Sequence, residues 1–322
     1  MAKGDVFFAN FLIKFGPYGN LMDYFKEIVA PAFFDEELSR EYGDTTSYFL
    51  QNVIYVKDIE GAGPAIVGRL VKDTTLHRDQ YFDPAQGLVQ DESDLESAPT
   101  SMFCILLRNH KIIYGYETRF APDLVAFKAT LGKFVREKHK QYCRQISKSM
   151  KSDGYSKAEI EETFPPKPDV RVVELASRDS ISQFISQYQV LRKIDVLVLD
   201  KNDENGDLKE LYKELRKRKN KLSSRKSLVT HYSLEGLDKE EAVTEVDSVA
   251  ATGNSLVKLN GIDRDGNKLK GNNVNFRLVK KFDELPSDSE KFGEFSSKLY
   301  LQLVDQGVLK MEDIADVTER SN

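Results

Sequence analysis

The sequence predicts an α+β protein: an N-terminal antiparallel sheet ending in a long C-terminal helix, followed by a second, smaller mixed α/β domain. Three observations predict it. Runs rich in β-branched and aromatic residues crowd the first 120 residues. An apolar stripe at helical spacing then holds from about residue 122 to 151. Beyond a proline-rich break, short strand-like and helix-like segments alternate.

Residues 6–15 read as a buried strand. The run is about half the length of a membrane span and lacks the basic flank and cleavage site of a signal peptide. A short helix is expected over 21–28. Strands follow at 46–56, 65–72, 102–108 and 111–118, the last two joined by Asn109-His110, a pair suited to a tight hairpin turn. The polar stretch 79–100 carries Asp83, Asp91, Glu92, Asp94 and Glu96 and reads as a surface loop. Pro122 suits the first turn of the long helix, with Leu124, Leu131, Val135, Tyr142 and Ile146 on one face. Asp153-Gly154 ends that helix, and Pro165-Pro166-Lys167-Pro168 continues no regular element. A linker is therefore placed at 153–169, between domains 1–152 and 170–322. In the second half, strands are expected at 170–175, 194–199, 227–234, 256–260 and 274–280. Helices are expected at 179–191, 208–222, 239–249, 289–305 and 311–317.

Composition excludes several classes. With 40% hydrophobic residues, 19 Phe and 14 Tyr, the chain has the material for a core and is not globally disordered. Cys104 and Cys143 stand apart, which excludes a disulfide framework and a cysteine-rich zinc site. Cys104 lies in an apolar run and is expected in the core. A soluble protein of the reducing cytoplasm is expected, with no membrane span and no cofactor.

The net charge of −5 hides a segregation. Residues 128–151 hold eight Lys/Arg and one Glu, and residues 209–226 hold nine and two. Each stretch carries +7, leaving 30 basic and 49 acidic residues, a net −19, for the rest. In the second stretch Leu208, Leu211, Tyr212 and Leu215 make an apolar stripe, and Lys209, Lys213, Lys217 and Lys221 form an outward row. In the first, Lys133, Arg136, Lys140, Arg144, Lys148 and Lys151 lie opposite the apolar face. Rows of this kind neutralise phosphates in a salt-sensitive, sequence-independent way. Together with Arg216, Arg218, Arg225 and Lys226 they are the candidate nucleic-acid contacts. No zinc finger, RNA-recognition signature or KH-type loop accompanies them, so duplex DNA read with little sequence preference is expected. The same faces also suit plain solvated surface, pairing with Glu210 and Glu214, an acidic protein partner or an anionic membrane surface.

Catalytic motifs are incomplete. His77-Arg78-Asp79 opens like a kinase catalytic loop, but the following Asn is missing. Gly61-Ala62-Gly63-Pro64 lacks the Lys of a phosphate loop. Residues 200–206 resemble a calcium loop, with Gly206 one place late and no closing Glu. The histidines His77, His110, His139 and His231 are scattered. Asp169 and Glu174 suit a metal-dependent nuclease strand, but Ala176 stands where the Lys belongs. No catalytic residue and no metal ligand is assigned, and a cryptic nuclease is the weaker alternative.

Residues 101–124 (SMFCILLRNHKIIYGYETRFAPDL) resemble the middle of the Rex A phage-exclusion family: strand, turn, a second strand with Gly, and an aromatic-X-Pro entry to a helix. Residues 194–199, the basic helix and the 263–267 turn follow in similar order, so that the likeness spans about half the chain. Kiwa B-type anti-phage proteins share this size and style. The resemblance implies a two-domain homodimer that binds double-stranded DNA without strong sequence preference in phage defence, with a protein partner in a defence system as the alternative. It carries over no individual contact.

Overall fold

The computed structural model describes residues 4–16, 19–59, 61–199, 210–224, 226–250 and 253–309. Strand β1 (Asp5–Phe15) organises the first of two sheets. Its odd positions, Phe7 through Phe15, face one hydrophobic core, while Val6 and Phe8 face another. Side chains alternate across a strand, so a mostly apolar run, interrupted in β1 by Asn10 and Lys14 alone between Val6 and Phe15, marks a sheet covered on both faces.

After the short β2 (Gly19–Asn20), residues 21–34 wind as a tight turn, a wide turn and then α1 (Ala30–Phe34). The single helix expected over 21–28 is thus split between two windings, and Pro31, which has no N–H to donate, sits just past the changeover. The chain continues through β3 (Ser39–Tyr42), β4 (Thr46–Val56), β5 (Ala65–Asp83), β6 (Gly87–Ser97), β7 (Thr100–Leu106) and β8 (Lys111–Tyr116).

The acidic stretch expected as a loop is a hairpin arm. β5 runs on to Asp83 and β6 returns beside it, in register from Thr74↔Ser97 to Asp83↔Gly87. Gly87 closes the turn at φ +80°, and the Asp83 carboxylate accepts from the Ala85 and Gln86 amides. The arm escaped the sequence because both its faces meet solvent: Phe82 and Leu88 pair across it while each stays 69% exposed.

Helix α2 (Leu124–Ser152) starts at Asp123, whose side chain accepts from the Ala126 amide at 2.8 Å. Pro122 therefore lies just outside the helix rather than in its first turn. Phe127, Leu131, Phe134 and Val135 press onto Phe103, Ile105 and Tyr114 of the sheet. On the opposite face, α7 (Ser289–Asp305) packs Phe292, Tyr300 and Leu303 against Val67, Met102 and Cys104. Burial pushes the Cys104 thiol up to about 12.

The expected division at 153–169 is corrected here. That segment holds α3 (Lys157–Glu162) and the start of β9 (Pro168–Glu174), and β9 pairs with β1 from Ala9↔Glu174 to Phe15↔Pro168. Near the other end of β1, β14 (Val279–Lys281) pairs with Asp5–Phe7. β9, β14 and α7 thus belong to the first body, whose sheet runs β14-β1-β8-β7-β5-β4-β3 with β9 also on β1.

The second body is an insertion between β9 and β14. It comprises α4 (Arg178–Ile185), β10 (Tyr188–Val198), α5 (Glu210–Lys221), β11 (Ser227–Tyr232), α6 (Lys239–Ala250), β12 (Ser255–Asp263) and β13 (Lys268–Asn272). Its sheet is antiparallel in the order β11-β10-β12-β13. Ile181, Phe184, Tyr212, Val243 and Val246 from the helices cover Ile194, Val196, Val257 and Leu259 on one face. The helix expected over 179–191 stops at Ile185, and β10 takes the rest. Residues 274–278 form no strand; the strand expected over 274–280 is reduced to β14. The helix expected at 311–317 lies outside the described residues.

A buried polar clasp joins the bodies. Lys111 Nζ on β8 donates to Asn10 Oδ1 at 3.1 Å, and Asn10 Nδ2 donates to Asn254 Oδ1 at 3.1 Å and Gly253 O at 3.3 Å. Gly253 holds φ +66°, and a Cβ there would stand 2.5 Å from Asn10 Cβ. Gly253→Ala should therefore destabilise the protein by about 1–3 kcal/mol through strain and overpacking, measured by denaturant unfolding. Wild-type stability in that variant would show that the clasp yields freely.

Candidate nucleic-acid interface

Helix α2 buries its apolar side as far as His139, whose Nε2 lies 2.8 Å from Pro165 O. Beyond it the helix runs out over α3, where Tyr142, Cys143 and Ile146 are half-buried. Along the opposite side Arg136, Lys140, Arg144, Lys148 and Lys151 are all exposed. At 100° per residue these five stay within an arc of about 120°, one continuous stripe. None of them forms an ion pair among the described residues. Among the described residues, Glu137 is the one acid bordering the shallow pocket of about 320 Å³ between Lys133 and Arg144.

Lys133 does not belong to the free row. It is half-buried and its Nζ donates to Ser39 O at 2.9 Å, tying α2 to β3. Lys138, on the flank, pairs with Asp35, and the Lys138 ammonium holds that carboxyl below its ordinary value.

The second basic helix differs. In α5 the buried positions are Tyr212, Arg216 and Lys219, with Leu215 half-buried, while Leu211 is 51% exposed. Arg216, expected on the outer face, is a structural residue: its guanidinium donates to Leu199 O, and to Asn254 O at 3.2 Å. The long stems of Arg and Lys fill an apolar seam that periodicity assigns to Leu. Tyr212 Oη donates to Glu245, and burial together with that carboxylate pushes the phenol far up. Of the outward row, Lys213 pairs with Glu210 at 3.4 Å and Lys217 with Glu214 at 3.0 Å. Exposed Arg218, Lys221 and Lys226 complete the described part of this surface. Lys209 and Arg225 lie outside the described residues, as does Leu208.

The two basic helices do not share a face. α2 packs on the side of the sheet that Ala9 and Phe11 face. Asn10, which points the other way, bonds Asn254, and Asn254 O receives Arg216 of α5. One rigid ligand lying flat on α2 thus meets the free row without reaching α5.

Asp169 and Glu174 do not form a metal site. They stand five positions apart on β9, so they project to opposite faces. Asp169 pairs with Arg171 at 2.6 Å, and Glu174 is buried. Among the described residues no cluster of three His, Cys, Asp or Glu is placed to hold a metal. No helix among them is long and apolar enough to cross a membrane. The 200–206 segment, likened to a calcium loop, lies outside the described residues. One cluster is missing from the sequence-based list: Arg192, Lys193, Lys268 and Lys270, distant along the chain, line one cleft on the second sheet. Only strand register brings them together, and residue spacing carries no signal of it.

Compared with models of known protein families and with curated proteins, the chain matches none.

Burial raises the Glu174 carboxyl above its ordinary value, against the lowering effect of a backbone hydrogen bond and Arg277. A carboxyl with a raised folded pKa adds stability below its unfolded value and loses it as pH rises through the folded value. Glu174→Gln should therefore raise the Tm at about pH 7 and lose that advantage near pH 4. Equal Tm differences at both pH values, read by thermal unfolding, would contradict a buried, strained carboxylate.

Proposed function

We propose that the protein binds duplex nucleic acid, DNA in the first instance, through phosphate contacts along α2. The observation that carries this reading is the stripe Arg136, Lys140, Arg144, Lys148 and Lys151, exposed and without ion pairs among the described residues. It spans fifteen residue-to-residue steps, about 22 Å at 1.5 Å per step. A duplex carries one phosphate per ~1.7 Å of axis, so such a stripe meets several phosphates at once. Phosphate contacts position a protein without reading bases. The absence of a base-reading motif in the sequence agrees with weak sequence preference. Arg218, Lys221 and Lys226 give α5 a smaller, separate attraction. A role in phage defence, and a homodimer, follow from the Rex A resemblance of residues 101–124.

A gel-shift series on unrelated 30-base-pair duplexes tests it. Arg136→Glu, Lys140→Glu, Arg144→Glu and Lys148→Glu combined should weaken binding of every duplex by at least about tenfold. Lys213→Glu with Lys217→Glu should cost far less, because both lysines already face glutamates. Failure of the wild-type protein to bind at low salt would overturn the reading. So would a larger loss from the α5 pair than from the α2 set.

A further inference from the structure

The helices of the second body cover one face of its sheet. Among the described residues the other face is open, and strand register arranges its chemistry. Tyr232 on β11 stands directly opposite Lys193 on β10, Lys193 opposite Asn260 on β12, and Asn260 opposite Lys270 on β13. At about 4.8 Å per strand this row is about 14 Å long. None of its members joins the hydrophobic core beneath. Tyr232 is 60% exposed at one edge of the sheet, and Lys268 and Lys270 are exposed at the other.

A local distortion concentrates the charge. Leu191 pairs with Gly261 but Lys193 pairs with Asn260, so β10 carries one extra residue, Arg192. Consecutive residues of a regular strand point to opposite faces. The bulge instead lets both Arg192 and Lys193 line one cleft of about 340 Å³ with Tyr232, Asn260, Lys268 and Lys270. Bulges characteristically re-aim side chains beside functional sites. Gly261 makes this one possible, since a Cβ there would stand 2.2 Å from Val190 O. Arg192 Nε is buried and makes no hydrogen bond among the described residues. Asp195 binds Lys193 at 2.9 Å and Thr230, so that Arg192, Lys268 and Lys270 are the cleft cations without an ion pair among the described residues, and Asp263 accepts from the Asp265 and Asn267 amides.

We infer that this cleft is a binding site for single-stranded nucleic acid, in which a base stacks on Tyr232 and flanking phosphates lie against Arg192, Lys268 and Lys270. An exposed ring amid cations on an open sheet suits an unpaired base, whose face a duplex keeps covered. Asn260, between Lys193 and Lys270, offers both a donor and an acceptor to a base edge. The site stands apart from the α2 stripe and does not rest on it.

Fluorescence anisotropy with labelled twelve-residue oligo-dT and oligo-rU, beside a twelve-base-pair duplex, tests the inference. The full chain should bind the single strands. Tyr232→Ala should weaken that binding roughly 5- to 140-fold, the range of one lost base stack. Tyr232→Phe should keep it, and Lys268→Glu with Lys270→Glu should weaken it and flatten its salt dependence. Duplex binding should be unchanged in Tyr232→Ala, and single-strand binding should survive the α2 charge reversals. Preference for oligo-dT or oligo-rU assigns the sugar, and either supports the site. Duplex binding by the wild-type protein without single-strand binding would overturn this inference alone. Unchanged single-strand affinity in Tyr232→Ala would also overturn it. Wild-type protein that binds neither would overturn both readings.

Discussion

Asn10 is the constraint on which the arrangement of the two bodies depends. It is a fully buried amide in a mostly apolar strand, accepting from Lys111 on the neighbouring strand and donating to Gly253 and Asn254 of the inserted body. Asn254 O in turn receives Arg216, which also holds Leu199 O at the end of β10. Buried polar groups are tolerated when every one finds a partner, and a satisfied network fixes one geometry more sharply than apolar contact does. Losing one partner costs about 1–3 kcal/mol, because the group left behind stays dry. The clasp therefore sets which way the insertion faces and places α5 on the side of the sheet away from α2.

That placement decides how the charge is used. In α5 the cations divide among structural work, as at Arg216, pairing with glutamates at Lys213 and Lys217, and exposure. In α2 the division is spatial. Lys133 and Lys138 fasten the helix to β3 and to Asp35, and the stripe from Arg136 to Lys151 faces solvent. Two stretches of equal formal charge thus present very different fields. Exposed pairs at i,i+3 add little stability, yet they do lower the local potential that a polyanion meets.

Much of this architecture is legible in the sequence. The helix at 289–305 keeps its bounds, and the Asn109-His110 turn joins β7 and β8, with His110 at φ +49°. Strong periodicity and a turn pair that tolerates positive φ are local signals. The insertion is not local: residues 170–175 read as a strand in either body, and only pairing with β1 assigns them. Arg216 is hidden because a buried guanidinium looks like surface to a pattern of apolar residues. The α2 stripe was legible because charge and period coincide there. The Tyr232 cleft was not, because four strands and one bulge bring it together.

The salt dependence of duplex binding by the intact protein tests the central claim most directly. Each phosphate neutralised contributes about −0.9 to the slope of log K against log salt. Five free cations on α2 predict a linear dependence with a slope of about −4 to −5, the same for unrelated duplex sequences. A slope near zero, or one that changes with duplex sequence, would contradict a phosphate-directed interface on that helix.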